Sequence, residues 1–198
     1  ISLKKVFIPQ SVEEIGGYAF GYKESEDDDS LIKDFIIEGY EYSAAEDYAN
    51  SYEIKFEKKN IEKPGNIRIN HSKGIIYLDA LKVTAKSMSD YLKFVGACDS
   101  CSITKGNGSS ISNSSNIGTG CKITLDGSQF TLVIMGDTTG DGLITSADYL
   151  QIKKCFQKIY SFDEYSFISA DVNLNGSIDA TDYLRIKLHF LKQYNLFE

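Results

Sequence analysis

No apolar run of about 18 residues or more occurs in the sequence, so nothing in it reads as a membrane-spanning helix. Basic residues are in the minority: 21 Lys and Arg stand against 28 Asp and Glu, for a formal charge of -7. Neutralising phosphates needs a basic face, which argues against non-specific nucleic-acid binding; the surplus of carboxylates suits metal cations. Histidine is scarce, and neither His71 nor His189 lies in a Ser-His-Asp or metal motif. There is no phosphate loop, so the chain reads as a non-enzyme. The cysteines Cys98, Cys101, Cys121 and Cys155 are too few for a disulfide scaffold, contain a single CxxC, and leave the redox compartment open. With 2 prolines, 42% hydrophobic and 12% aromatic residues, the composition points to folded modules and not to a disordered tail. No export signal is visible. The chain opens at Ile1 inside what reads as a repeat, so it is expected to be a piece of a longer secreted protein whose signal lies upstream.

At 198 residues several small domains fit, since domains commonly run from about 50 to 200 residues. Residues 1–62 form a first segment. Leu3 to Tyr22 alternates short apolar stretches with a turn, and Phe35 to Phe56 reads as strand, turn, short helix, strand. That helix, from about Ser43, sets Ala44, Tyr48 and Tyr52 at helical spacing. Between the two stretches Glu24, Glu26, Asp27, Asp28 and Asp29 read as a solvated acidic loop. Lys63-Pro64-Gly65 breaks the pattern, and residues 63–135 read as mainly β, with strands at Gly74 to Leu81, Ser102 to Lys105, Cys121 to Leu125 and Gln129 to Ile134. Asp126-Gly127 is a hairpin turn, because a tight primed turn needs positive φ. One helix is expected at about Met88 to Val95, with Ser87 and Asp90 spaced as a capping box and Tyr91, Phe94 and Val95 as its apolar face. Gly106 to Gly118 reads as a loop too polar to supply a core element, a mobile connection in preference to a binding loop. Cys98, Cys101 and Cys121 with His71 make a weak zinc pattern; a disulfide or plain buried thiols are the stronger readings.

Chemistry concentrates in residues 136–198. Asp137, Thr139, Asp141, Thr145 and Asp148 occupy positions 1, 3, 5, 9 and 12 of a calcium loop, with Gly142 at position 6 and Leu143 offering its carbonyl at position 7. Calcium takes six to eight oxygens, and a short loop supplies them only by turning sharply, hence the glycine. The arrangement returns 34 residues later with Asp171, Asn173, Asn175, Gly176, the Ser177 carbonyl, Asp179 and Asp182. Over 136–160 against 170–194, eleven of twenty-five positions are identical. Position 12 is Asp in both loops where the usual motif has Glu, and Phe130 to Met135 reads as a strand, so no helix leads into the first loop. Thr139, a neutral hydroxyl, is a poorer ligand than a carboxylate. Each loop offers three carboxylates, and two Ca2+ ions, carrying +4, would take the formal charge from -7 to -3, which couples folding of the segment to calcium.

Behind the loops, Tyr149, Ile152, Phe156 and Tyr160 form one stripe, repeated as Tyr183, Ile186, Phe190 and Tyr194, a small core joining the halves. Cys155 lies beside it as a buried thiol. Leu150 and Leu184 fall off that stripe, followed by Lys153 and Lys187 and preceded by Ser146-Ala147 and Ala180-Thr181. Two readings stand: a contact surface, or a solvated face with a stray leucine. Repetition in both halves favours the first.

Tandem D-x-[NT]-x-[DN]-G loops, each followed by D-Y-L-x-I-K (Asp148 to Lys153 and Asp182 to Lys187), resemble the dockerin modules of cellulosomal bacteria. The resemblance implies two bound Ca2+ and a cohesin partner on a scaffoldin or cell-surface protein, outside the cell. It implies recognition through Ser146, Ala147, Leu150, Lys153 and Lys154, and through Ala180, Thr181, Leu184, Lys187 and Leu188. It also implies a second binding orientation rotated by half a turn; unmatched Ser146-Ala147 and Ala180-Thr181, and Lys154 opposite Leu188, point to one orientation dominating. Ile8-Pro9, Ser11-Val12, Ile15-Gly16 and Ala19-Phe20 resemble the leucine-rich repeats of bacterial surface proteins, which bury their faces only by stacking. In position and architecture, residues 63–135 resemble the X modules that precede some dockerins; residues 1–62 and 63–135 are alternatively one such module. The expected fold is α+β and multi-module: a leucine-rich-repeat-like fragment, a mainly-β domain and an all-α dockerin. A calcium-stabilised adhesion or repeat protein without a cohesin partner is the alternative. Glycoside hydrolysis needs paired acids on a larger scaffold, so catalytic modules are left to the parent protein upstream.

Overall fold

The computed structural model of the protein describes residues 3–10, 12–23 and 30–197. Ser11 and the acidic stretch Glu24 to Asp29 lie outside the described residues. The chain divides into two compact units, Ile1–Glu62 with Phe94–Ala97, and Lys63–Lys93 with Cys98–Glu198. Across them the fold is mixed α/β, with two sheets and five helices among the described residues.

The first unit holds three short parallel strands, β1 (Lys5–Phe7), β2 (Ile36–Gly39) and β3 (Lys55–Lys58), in that order across the sheet. Parallel neighbours need a crossover, and α1 (Ala44–Ser51) carries the chain from β2 to β3. The Ser43 hydroxyl accepts the Glu46 N–H and caps α1. Ala45, Tyr48 and Ala49 are the buried face, so the stripe is turned from the expected Ala44, Tyr48 and Tyr52; the small alanines let the helix sit close on the sheet. A Cβ on Gly39 would come 2.6 Å from that of Ala45, which is why β2 ends in glycine. Ile8, Phe35, Ile37 and Ile54 complete the core, with Val12, Ile15 and Phe20 packed against it.

In the second unit β4 (Asn66–Asn70), β5 (Ile75–Asp79), β6 (Cys101–Thr104), β7 (Lys122–Leu125) and β8 (Ser128–Ile134) form one sheet in the order β4-β5-β8-β7-β6. Only β5 and β8 pair in parallel. The hairpin joining β7 to β8 turns through Asp126 (φ 45°) and Gly127 (φ 86°), as the Asp-Gly signal requires. The central pair is covered on both faces. Ile76, Leu78, Leu132 and Ile134 lie in a core shared with α2 (Ala85–Phe94), whereas Ile75, Val133 and Met135 meet Tyr165, Ile168 and Val172 on the other side. That double burial explains the unbroken apolar run of β8.

α2 starts one turn before Met88, because its capping box is Thr84 and Ser87 rather than Ser87 and Asp90: Thr84 N–H donates to Ser87 Oγ and Ser87 N–H to Thr84 Oγ1, each at 3.1 Å. Its buried residues are Ala85, Met88 and Leu92, while Val95 is exposed. Strand β4 was not anticipated. Nor is Gly106 to Gly118 a loose connection: the Asn113 and Ser115 carbonyls accept N–H groups from the first turn of α2, and Ile117 is fully buried in the sheet core. The cysteines are free thiols, and among the described residues no histidine or cysteine cluster forms around them.

After β8 come α3 (Ser146–Phe156), α4 (Glu164–Ala170) and α5 (Ala180–Phe190). Helices α3 and α5 pack through Ile152 and Ile186, both fully buried, with Tyr149, Phe156 and Tyr183 partly buried around them. Tyr160, Phe190 and Tyr194, the expected outer ends of the two stripes, stay about two-fifths exposed. Unforeseen from the sequence, α4 is capped by Asp163, whose carboxylate accepts the Ser166 N–H at 2.8 Å.

Candidate metal-binding and docking site

The two loops adopt one hydrogen-bond scheme. At the head of the first, Asp137 is fully buried; its Oδ1 accepts the N–H groups of Gly140 (2.9 Å) and Asp141 (3.1 Å), and its Oδ2 that of Gly142 (3.1 Å). Gly142 takes φ +76°, the sharp turn for which glycine was read at that position. At the far end Asp148 is also fully buried, with Oδ1 accepting Thr139 N–H (3.0 Å) and Thr139 Oγ1 (2.9 Å) and Oδ2 accepting Thr145 N–H (2.7 Å). Thr145 caps α3 through Ala147 N–H. Thr145 and Asp148 therefore form a capping box, and the loop's closing residues start its helix. The aspartate at position 12 thus reaches back to the N-cap N–H, the contact that the acidic residue of a capping box makes.

In the second loop Asp171 Oδ1 accepts Asn175 N–H (3.0 Å) and Oδ2 accepts Gly176 N–H (2.8 Å). Fully buried Asp182 accepts from Asn173 N–H (3.2 Å) and Asp179 N–H (3.0 Å), and Asp179 caps α5 through Thr181 N–H. Gly176 takes φ +82°. Unlike the first loop, this one follows a helix, α4. Thr139, Asp141, Asn175 and Ser177 lie on the exposed rim.

Among the described residues no lysine or arginine pairs with any of these aspartates. Burial, with Asp148 and Asp141 nearby, pushes the Asp137 carboxyl up to about 6, and burial raises Asp182 as well. Asp179 is lowered, chiefly by the Thr181 N–H and hydroxyl. No group of three or more Asp, Glu, His or Cys side chains gathers at one point among the described residues, so any ion held here draws on hydroxyl, amide and backbone oxygens as well. Sequence reasoning passed over Thr119 and Thr138. The Thr119 N–H donates to Asp137 Oδ2 at 2.9 Å, and the Thr138 hydroxyl lies 3.3 Å from Asp148 Oδ1. Ile117 and Thr119, at the end of a stretch otherwise of Ser, Gly and Asn apart from Ile111, were the sign of the first.

Residues 135–191 match the family model of the dockerin type I domain. This C-terminal segment is a dockerin module. Such modules are non-catalytic and dock onto cohesins in a calcium-dependent manner. Searches of the curated proteins and of the solved structures return no match. Along the dockerin's α3, Ser146, Ala147, Leu150, Lys153 and Lys154 are exposed; along α5, Ala180, Thr181 and Leu184 are exposed and Lys187 and Leu188 half-buried. Cys155 is half-buried on α3, and burial raises its pKa. No helix among the described residues is long and apolar enough to cross a membrane.

Proposed function

We propose that the dockerin holds two Ca2+ ions and binds a cohesin on a scaffoldin or cell-surface anchoring protein, bringing its parent chain into a cellulosome-type complex outside the cell. Asp137, Thr139, Asp141, the Leu143 carbonyl, Thr145 and Asp148 would hold the first ion. The second falls to Asp171, Asn173, Asn175, the Ser177 carbonyl, Asp179 and Asp182. All are hard oxygen donors, the kind calcium takes. The fit rests on four aspartates, Asp137, Asp148, Asp171 and Asp182, that are buried without a cationic side chain and fixed by loop N–H groups. A bound ion supplies the positive charge that such carboxylates lack, which ties the order of the loops to calcium.

The observation that carries the docking reading is Leu150 and Leu184, 45% and 51% exposed at equivalent positions of α3 and α5, each followed three residues later by a lysine. A repeated apolar side chain outside the core, with small residues Ser146, Ala147, Ala180 and Thr181 on one side and lysines on the other, suits a partner of matching shape. Residues 63–135 are assigned to support the dockerin as an X module would, and residues 1–62 to a repeat-like segment.

Calorimetric titration of the chain with a panel of cohesins, with calcium and with EDTA, tests this. Tight binding abolished by the chelator is expected, together with at least about a hundredfold weakening when Leu150→Asp and Leu184→Asp are combined. Each single change is partly tolerated if both orientations are used; severe loss from one single change assigns one orientation. A chain that takes up calcium and binds no cohesin would overturn the docking reading in favour of a calcium-stabilised adhesion protein.

A further inference from the structure

The first calcium loop is built against a segment outside the dockerin repeat. Thr119 lies in the connection from β6 to β7, and its N–H is one of the hydrogen bonds to the carboxylate that opens the loop. Its hydroxyl is fixed in turn, accepting the Ile134 N–H (3.1 Å) and donating to the Ile134 carbonyl (3.2 Å). Around this point two backbones touch. A Cβ on Gly118 would fall on the Gly140 carbonyl, one on Gly140 would lie 2.6 Å from the Thr119 carbonyl, and the Ile117 carbonyl fills the space beside Gly142. The second loop meets the sheet through the Val172 side chain, but no second backbone closes on its turn: Gly176, the counterpart of Gly142, has open space where its Cβ would be.

The geometry points to a first calcium site completed by the sheet, with Thr119 as a positioning residue for Asp137 and the Ile117 to Thr119 backbone as the wall of the loop, while the second loop fixes Asp171 and Asp182 through N–H groups of its own. This rests on the reading of Asp137 to Asp148 as a calcium loop. Two physical effects act together. An N–H aimed at a buried carboxylate holds it in place before an ion arrives, and a loop walled by a rigid sheet loses less freedom on binding. Thr139, the weak ligand of this loop, is thereby offset by a preformed frame. The glycines are the sequence trace of that frame, since only glycine at 118 and 140 lets two backbones approach so closely.

Calcium titration of the full chain by calorimetry separates the two sites when Asp171→Asn leaves the first loop and Asp137→Asn leaves the second. Adding Gly118→Ala, which drives a methyl group into the Gly140 carbonyl, is expected to weaken the first loop by about tenfold or more and leave the second within about twofold. No change at the first loop, or equal weakening at both, overturns the inference while leaving the calcium reading intact. Absence of calcium binding in both backgrounds sinks that reading and the inference with it. Should Gly118→Ala fail to fold, hydrogen exchange on the Asp171→Asn chain decides: calcium is expected to raise protection at the Thr119 amide together with the loop amides, and a loop response without Thr119 overturns the proposal.

Discussion

At the scale of single residues, burial separates groups that a sequence pattern treats alike. Asp137 and Asp141 are both loop aspartates, yet the first is fully buried and bonded by loop amides and the second sits on the rim. The cysteines show the same division. Cys98 is buried and its thiol is pushed up to about 11, mainly by desolvation, with Cys101 and Asp126 adding to it. At pH 8 only roughly a thousandth of Cys98 would be thiolate, against about a quarter for an unperturbed thiol, so alkylation should be slow in the folded chain and fast in urea. Mass spectrometry after iodoacetamide treatment measures this; equal rates in both conditions would show the site to be open. The loop aspartates and their turning glycines were legible in the sequence because their spacing repeats 34 residues later. Thr119 was not, since its part depends on a contact between residues 18 apart in the chain, which no local spacing encodes.

Elements were legible in proportion to how long and regular their patterns run. Strands β5, β7 and β8 and helices α3 and α5 follow from apolar runs, a tight turn and a repeat that each span several residues. The seven-residue α4 is too short for a helical period to declare itself, and only Asp163 before Ser166 marks its start. Strand β4, with Ile67 and Ile69 alternating with Asn66, Arg68 and Asn70, carried a period-two signal masked by its polar half. For α5 the two faces lead to opposite outcomes. Ile186 is fully buried between α3 and α5, so Ile186→Ala should destabilise the second unit by about 2–5 kcal/mol through lost burial and a cavity. Leu184→Ala, on the exposed face of the same helix, should change stability by no more than about 0.5 kcal/mol. Urea unfolding followed by circular dichroism compares them, and similar losses would mean that the faces are wrongly assigned.

For the whole molecule, the decisive feature is that the sheet and the dockerin share one compact unit. Ile75, Val133 and Met135 of the sheet side are buried against residues of α4 and the second loop, Ser169 Oγ donates to the Ile134 carbonyl at 2.7 Å, and Gly136 N–H donates to the Ser169 carbonyl. Packing this continuous makes local unfolding of one part expose apolar surface of the other, so the two should melt together. Calcium bound only by the folded loops, as proposed, would then stabilise the sheet as well. On the proposed reading of two calcium sites, each filled at about a hundred times its dissociation constant contributes about 2.7 kcal/mol, so the two together are expected to raise the stability of the unit by about 5 kcal/mol. For a unit of this size that corresponds to a rise in Tm on the order of 15 °C. Scanning calorimetry with calcium against EDTA measures the shift, and hydrogen exchange shows where it falls. Protection of the β5 and β8 amides should increase with calcium in parallel with that of α3 and α5. If the helices respond while the central strands exchange at an unchanged rate, the shared core does not couple them, and the dockerin folds as a module apart from the sheet it touches.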